Sequence, residues 1–317
     1  MRSRDIVRKA WQITQVHLKK LIWYGIVPAF FSIIVSSVYL AYQYHAFKTS
    51  ALFSDQHDAD VFGTVRTIWS IASGHPTLSM TLIIVGILIL IGYIIVPPIF
   101  NGVLISAIMK IKDYKPIDGS VEIGVRRFFP MFEFGLLTGS FGITTLFTEG
   151  SFILRWWGES VFFVALPILL FIAAVGLIVS FLFTYSEYFI VMDDRGLMKA
   201  ISESTILVIS NLRRTFLILI LIVLISARVI INILLVLIIP MLIVIVMNYF
   251  TSVVLSTILF IIIGVVGVII LCASSYLLGL FHVFTTAVWV LTFSLISGKN
   301  KPEIKDDDLG DEASKSD

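Results

Sequence analysis

The sequence predicts an all-α integral membrane protein, a bundle of six transmembrane helices with three amphipathic helices on its cytoplasmic surface. Two observations carry this prediction. Hydrophobic residues make up 58% of the chain and charged residues 14%, whereas soluble domains have about 45–50% and about 25%. In addition, the apolar residues gather in runs separated by short charged segments, which is the pattern of a chain that crosses a bilayer repeatedly.

Six apolar runs are long enough to cross the hydrocarbon core, which takes about 20 helical residues. The third run contains Glu133 and several glycines. Gly135 and Gly139 are spaced as in closely packed membrane helices, so we expect a helix buried among its neighbours. The last run fits either one kinked helix or two spans without a loop. The six predicted spans cover about 22–44, 80–109, 131–150, 160–191, 216–247 and 252–294.

The distribution of positive charge predicts the orientation. Of the 23 Lys and Arg residues, three lie in loops expected outside and one, Arg228, lies within a span. The other 19 lie on the side of the N-terminus, and cytoplasmic loops are enriched in such residues. We therefore expect both termini in the cytoplasm and the protein in the cytoplasmic membrane. The domains follow as an amphipathic helix at 1–21, a transmembrane domain at 22–297 and a disordered charged tail at 298–317.

An amphipathic segment precedes each odd-numbered span, with apolar residues on one side and charged residues on the other. The segments cover 3–21, 118–129 and 192–216. We expect each to lie flat on the cytoplasmic surface with its basic residues among anionic lipid head groups. The chain then consists of three repeats, each a surface helix followed by a hairpin of two spans. Each segment ends in a basic doublet: Lys19-Lys20, Arg126-Arg127 and Arg213-Arg214.

The third segment shows the pattern best. Asp193 and Asp194 are expected to cap its N-terminus, where carboxylates favour the free N–H groups and the helix dipole. Its predicted lipid-facing side consists of Leu197, Met198, Ile201, Val208, Ile209, Leu212 and Phe216. The matching side of the first segment consists of Ile6, Val7, Ala10, Trp11, Ile13, His17, Leu18 and Leu21.

The stretch YFIVMDDRGLMKAISESTILVISNLRRTF resembles a broad prokaryotic group of multi-pass membrane proteins. That group includes the membrane domain attached to some glycerophosphodiester phosphodiesterases. A second match is Pro98 followed by Gly102 in VPPIFNGV. The longest predicted loop, 45–79, is too short for a catalytic barrel of about 250 residues, so we do not expect the hydrolase activity. The positions that carry the resemblance are Asp193, Asp194, Gly196, Lys199, Ala200, Ser204 and the turn Ser210-Asn211.

Arg228 is the first candidate site residue, because a charge within a span is costly and needs a partner, a hydrated cavity or a lipid head group. Glu187 is one candidate partner, and Glu149 and Glu159 are the others. Since the run around Arg228 is long, the arginine can instead extend to the interface or form one structural ion pair.

Pro97 and Pro98 are the second candidate feature. Two prolines near the middle of a span should bend or interrupt the helix, because each removes a backbone donor. Transporters often place a substrate beside such an interruption, and Asn101 lies close enough in sequence to complete a site. A simple kink is the alternative interpretation.

No catalytic constellation follows from the sequence. Asp55, His57, Asp58 and Asp60 lie together in a predicted outer loop, but they lack the glycine and the final glutamate of a calcium loop. A solvated acidic loop is the simpler interpretation, so we predict no metal site, no cofactor and no enzymatic activity. We expect membrane lipids with anionic head groups as partners and no nucleic acid, and the sequence does not identify a protein partner.

Two hypotheses on function result. The first is a non-catalytic, lipid-interacting or scaffolding component of the cytoplasmic membrane, based on the amphipathic segments. The second is a transporter or exporter of a small or lipidic substrate, which would use a broken helix at Pro97-Pro98, together with Asn101 and the intramembrane Arg228.

Overall fold

The computed structural model describes residues 3–48, 73–74, 76–227 and 253–298. Every regular element in these ranges is a helix, as the sequence predicts. The helices are α1 (Ser3–Val16), α2 (Leu18–Lys48), α3 (Pro76–Lys112), α4 (Ser120–Arg126), α5 (Phe128–Gly139), α6 (Ile143–Leu182), α7 (Ser186–Met192), α8 (Leu197–Ser210), α9 (described over Leu212–Ala227) and α10 (Val253–Ile296).

Several described helices are long and apolar enough to cross a membrane, so a membrane location is supported. Four qualify by length and composition, and a fifth results if α8 and α9, which meet at 97°, form one bent span. The expected number of six is not reached in the described part of the chain. The four cover Leu18–Leu40, Ser79–Lys112, Ile143–Met192 and Val265–Ile296.

Helix α6 reverses direction at Gly158. This glycine has φ 80° and ψ 177°, a conformation that is open essentially to glycine alone. A Cβ atom placed on Gly150 would lie 3.5 Å from Leu169 Cδ1. Along a straight helix these two residues would be about 28 Å apart. The two arms of α6 therefore lie side by side, and Trp156 and Trp157 immediately precede the reversal.

The predicted third span, about 131–150, is not one continuous helix. Helix α5 ends at Gly139, residues 140–142 are irregular, and α6 begins at Ile143. The expected close packing of Gly135 and Gly139 is also wrong, because a Cβ atom on either would meet no atom within 4 Å. The polar sequence here marks an interruption and an open space rather than a tight interface.

Two further expectations are resolved by helix continuity. The predicted interruption at Pro97-Pro98 is wrong, because α3 continues from Pro76 to Lys112 through both prolines. The ambiguity of the last apolar run is settled as a single helix, α10. The predicted fourth span, about 160–191, corresponds to the second arm of α6, which ends at Leu182, and the short α7, which follows after a break and ends at Met192.

The buried core lies at one end of the bundle. α1 packs along α10, with Trp11 edge-on to Phe284 at a ring distance of 5.6 Å. α4 packs on the end of α3, and α8 packs on α6 and α7. We call the end that carries α1, α4 and α8 the basic end, because the three basic doublets lie there. A single hydrophobic cluster joins all of these helices.

Two pairs of glycines bring backbones together. A Cβ atom on Gly279 of α10 would lie 2.7 Å from the backbone nitrogen of Ile26, beside Gly25 in α2. A Cβ atom on Gly102 of α3 would lie 3.1 Å from the Cα of Gly124 in α4. Close approach of this kind allows extensive van der Waals contact between membrane helices. Accordingly, α2 and α10 form the most extensive helix contact in the described part of the chain.

The apolar side of the first amphipathic segment faces the protein rather than lipid. Ile6, Ala10 and Leu21 are fully buried, and Val7 and Ile13 pack against the core. This corrects the prediction of a lipid-facing side, because α10 covers it. The middle segment is shorter than expected, and its Val121 and Val125 stay exposed.

Helix α8 has three faces instead of two. Ala200, Ser204 and Val208 are buried against the protein. Met198 and Ile209 are 77% and 61% exposed on another face, which leaves them free to contact lipid. The predicted lipid-facing side is therefore partly wrong, because Val208 and Leu197 pack on the core. Lys199 and Glu203 occupy the polar face.

The crossing of α2 and α10 can be tested with Gly279→Ala. The added methyl group has no room beside Ile26, so we expect a loss of about 1–3 kcal/mol in the free energy of unfolding. Gly267→Ala in the same helix is the matched control, because its Cβ would meet no atom within 4 Å. Thermal unfolding in detergent should show a lower midpoint for Gly279→Ala alone. Equal midpoints for the two variants would contradict the crossing.

Candidate functional site

A cavity of about 590 Å³ lies between α2, α3, α5 and α10. It adjoins the buried core and is lined mainly by apolar and aromatic side chains. Such a volume is within the range of about 300–1,000 Å³ typical of small-molecule sites. The lining residues are Gly25, Pro28, Ala29, Ser32, Tyr93, Ile94, Pro97, Pro98, Asn101, Phe132, Gly135, Leu136, Leu278, Phe281, His282 and Thr285.

Asn101 and His282 form the polar centre of the cavity. The Oδ1 atom of Asn101 lies 2.8 Å from Nε2 of His282, a hydrogen bond that joins α3 to α10. In an apolar setting, polar side chains of neighbouring helices pair in this way. No lining residue is an Asp, Glu, Lys or Arg. The cavity therefore offers hydrogen-bonding groups but no fixed charge.

Three prolines line the cavity, Pro28 from α2 and Pro97-Pro98 from α3. A proline inside a helix removes the N–H that would pair with the carbonyl four residues earlier. Pro97 and Pro98 thereby leave the carbonyls of Tyr93 and Ile94 without their helix donors. Tyr93 and Ile94 also line the cavity, so the carbonyls that lose their helix donors belong to residues of its wall.

The cavity opens sideways beside α5. This helix packs against α3 but lacks comparable packing on α2 or α10, and the cavity occupies the gap. Gly135 is exposed at this gap, and Leu136 is 58% exposed. Among the described residues, the cavity is therefore accessible from the side, between helices, and not only from the end of the bundle.

The position of the cavity along its helices follows from helix geometry. Gly25 comes seven residues after the start of α2, and His282 comes fourteen residues before the end of α10. At 1.5 Å per residue these positions lie about 10 Å from the start of α2 and about 21 Å from the end of α10. The cavity therefore lies along the length of these helices rather than at their ends.

The sequence-predicted site residues are only partly brought together. Pro97, Pro98 and Asn101 line the same cavity. Glu187 lies in the first turn of α7, outside that lining, and forms no salt bridge within the described ranges. Arg228 lies outside the described residues, so the proposed partnership with Glu187 stays a prediction. The acidic cluster from Asp55 to Asp60 also falls outside them.

The basic doublets are mostly available to the surroundings. Lys19, Lys20, Arg126, Arg213 and Arg214 are exposed. Arg127 differs from these five, because its guanidinium pairs with the carboxylate of Asp194. Burial lowers the pKa of Arg127 and the charge of Arg126 lowers it further, but an arginine stays protonated in proteins. The pair links the start of α5, a helix of the cavity wall, to the segment that precedes α8.

The acidic pair of the family-like motif does not cap α8, which corrects that prediction. Gly196 occupies the N-cap position, and no side chain bonds to the first N–H groups of the helix. Asp193 ends α7 instead. Asp194 adopts φ 57°, a left-handed conformation that Asp tolerates better than most residues. The turn this produces directs the Asp194 carboxylate toward Arg127.

Through Ala200 and Ser204, α8 packs against the break between α6 and α7. Both are fully buried. The hydroxyl of Ser204 donates to the Leu182 carbonyl at 2.8 Å and accepts from the Tyr185 N–H at 3.0 Å. Both backbone groups border the break, where the helix ladder leaves them without partners. Ser204 therefore connects a surface helix to the end of a long apolar helix.

Several residues of the site escape sequence-based reasoning. His282, Thr285 and Ser32 line the cavity, and none belongs to a recognisable motif. The available signal is the polar character of His282 within an otherwise apolar helix, since such residues in spans are rare and usually functional. Its pairing with Asn101 joins positions 181 residues apart, which helical periodicity does not reveal.

No group of three or more His, Cys, Asp or Glu side chains that could hold a metal ion occurs among the described residues. Comparison of the chain with protein-family models, with curated proteins and with solved structures finds no match. The resemblance to the prokaryotic membrane group therefore stays a prediction, and function must be argued from the geometry.

The link through Ser204 can be tested with Ser204→Ala. We expect the free energy of unfolding to fall by about 1–3 kcal/mol, because two buried backbone groups lose their partner. Ser210→Ala is the matched control, since Ser210 lies in the same helix, is exposed and bonds only to its own helix at Ile206. Chemical unfolding in mixed micelles measures both, and equal stability of the two variants would contradict the proposed link.

Proposed function

We propose that the protein is a non-catalytic multi-pass membrane protein that binds a membrane amphiphile in the cavity between α2, α3, α5 and α10. The cavity itself is the observation that carries this proposal. It has the volume of a ligand site, and its opening beside Gly135 and Leu136 faces the surroundings of the helices. A molecule already dissolved in the bilayer is the ligand best placed to enter.

The composition of the cavity wall supports a lipidic ligand. Phe132, Leu278 and Phe281 are among the residues that provide apolar surface, and no lining side chain carries a fixed charge. A charged group buried among them would lack a counter-charge and would pay a large desolvation cost. The apolar part of an amphiphile therefore fits the cavity, and a charged head group would stay at the basic end.

We further propose six crossings with both termini in the cytoplasm of a prokaryotic cell. Support comes from the excess of Lys and Arg at the basic end and from the reversal at Gly158. We count the two arms of α6 as separate crossings, the first of them together with α5. The chain then forms three hairpins, each preceded by one of the amphipathic helices α1, α4 and α8.

In this orientation the basic end meets the anionic head groups of the cytoplasmic leaflet. The exposed doublet residues suit that surface, since each Lys or Arg near it contributes about 1 kcal/mol. The exposed side chains of Met198 and Ile209 in α8 would insert into the head-group region of the cytoplasmic leaflet. The lipid-facing role thus belongs to part of α8, whereas α1 serves chiefly as a structural cover for α10.

A transporter is the second candidate function, and the interruption at residues 140–142 favours it. Discontinuous helices in membranes commonly border a substrate path. The interruption lies one turn beyond the cavity residue Leu136, because the Ser140 N–H still bonds to the Leu136 carbonyl. The helix interruption that the sequence predicts at Pro97-Pro98 therefore occurs at the end of α5, a neighbouring helix that lines the same cavity.

Filling the cavity tests the main proposal. Gly135→Phe places a ring in open space, since a Cβ on Gly135 meets no atom within 4 Å. The full chain is reconstituted with a lipid that carries a photoreactive acyl chain, and the labelled fraction is read by mass spectrometry. We expect at least a tenfold loss of labelling within α3, α5 and α10, because the ring occupies the volume of the chain.

Gly139→Phe is the control for this experiment, because Gly139 is equally unobstructed, lies in the same helix and is outside the cavity lining. It should label like the wild type. Unchanged labelling in Gly135→Phe would overturn cavity binding. Protein-dependent transfer of the probe to the opposite leaflet, lost in Gly135→Phe, would replace the binding proposal with the transporter.

The proposed orientation predicts which side of the membrane α8 faces. A cysteine introduced as Lys199→Cys lies on the exposed polar face of α8. In a Cys272→Ser background, a membrane-impermeant maleimide should label it only after intact cells are opened. Labelling from the exterior of intact cells would reverse the orientation. Ser73→Cys, near the opposite end of the bundle, provides the reciprocal control.

A further inference from the structure

The wall of the cavity includes residues whose backbone carbonyls lack their helix donors. Pro97 and Pro98 deprive the Tyr93 and Ile94 carbonyls of their helix donors, and both residues border the cavity. The Thr285 hydroxyl already donates to the carbonyls of Phe281 and His282. A backbone acceptor in an apolar medium is costly when it lacks a partner. A ligand that brings a hydrogen-bond donor would relieve this cost.

The central hydrogen bond leaves further capacity for a polar group. Nε2 of His282 and Oδ1 of Asn101 bond to each other. Each side chain retains another polar atom, the second ring nitrogen of the histidine and the amide nitrogen of the asparagine. A hydroxyl group both donates and accepts. It can donate to a freed carbonyl of α3 and accept from the Asn101 amide, which lies one turn beyond the prolines in the same helix.

The charge of the ligand is constrained by the same wall. A carboxylate would compete with the carbonyl acceptors and meet no cation, because the cavity lining contains no Lys or Arg. An ammonium group would meet no carboxylate there, since the lining contains no Asp or Glu either. Both ions would lose their hydration without compensation. A neutral donor avoids this penalty.

We propose that the ligand is an uncharged lipid with a hydroxyl group, and that this hydroxyl binds between the freed carbonyls at Pro97-Pro98 and the Asn101 and His282 pair. This inference rests on the proposed function, because it specifies the ligand of the same cavity. The apolar chain of the lipid extends past Phe132 and Gly135 toward the opening. The prolines thus act as specificity determinants, since they turn part of a helix backbone into a receptor for a donor.

Three photoreactive probes of equal chain length test the proposal: a long-chain alcohol, its methyl ether and the corresponding fatty acid. Each is added to the full-length protein in lipid nanodiscs, and labelling is quantified by intact mass. The alcohol should label roughly two- to tenfold more than the ether, as one additional hydrogen bond predicts. The fatty acid, ionised near neutral pH, should label less than the alcohol.

Pro97→Ala tests the role of the freed carbonyl directly. Alanine restores an N–H to the helix, which pairs with the Tyr93 carbonyl, so the preference for alcohol over ether should shrink. Pro167→Ala is the matched control, because Pro167 also lies inside a helix but outside the cavity lining. This variant should keep the wild-type ratio. If Pro97→Ala fails to fold, the ratio of alcohol to ether labelling in the wild type still tests the inference. Asn101→Leu provides a second test, because this substitution should lower that ratio.

The outcomes separate this inference from the proposed function. Equal labelling by alcohol and ether in the wild type, or stronger labelling by the acid, overturns the hydroxyl inference. If Gly135→Phe still blocks labelling in that case, binding in the cavity stands. If Gly135→Phe leaves labelling by all three probes unchanged, binding in the cavity fails as well.

Discussion

The contact between Gly25 and Gly279 is the constraint on which the rest of the described structure depends. Two helices that touch backbone to backbone at one point must diverge on either side of it, because a larger side chain would separate them. Toward the basic end, α1 covers α10 and completes a dense core. On the side of α5, the same crossing leaves a gap. The cavity is that gap, enclosed by α3 and α5 but not filled by them.

Polar side chains in the described bundle connect neighbouring helices. Ser204 supplies both partners at the break between α6 and α7. Toward the other end, Tyr39 and Gln43 of α2 bond to Thr148 and Ser151 of the first arm of α6. The prolines of α3 are different, since the acceptors they free border open space. Carbonyls without helix donors in the residues that line a cavity suit a ligand that brings a hydrogen-bond donor.

The sequence reveals the parts of this molecule that depend on local periodicity. The length of the apolar runs predicts the long helices. The 3.6-residue periodicity of apolar residues locates the amphipathic helices α1, α4 and α8. Periodicity does not reveal which neighbour covers each face, so the sequence predicts a lipid-facing side for α1 although α10 buries it. Contacts between distant segments, such as Asn101 with His282 and Arg127 with Asp194, leave no periodic signal. The spacing of Gly135 and Gly139 does not predict the interruption near residue 140, because small residues occur both at tight packing and at interruptions.

The central claim is that a lipid chain enters the bundle sideways and ends at Asn101 and His282. The most direct measurement is a cryo-EM reconstruction of the full chain in nanodiscs of native lipid. We expect elongated density that runs from the opening beside Gly135 and Leu136 to within hydrogen-bonding distance of the Asn101 side chain. A cavity closed by packing of α5 against α2 and α10, with no lipid between them, would contradict the account.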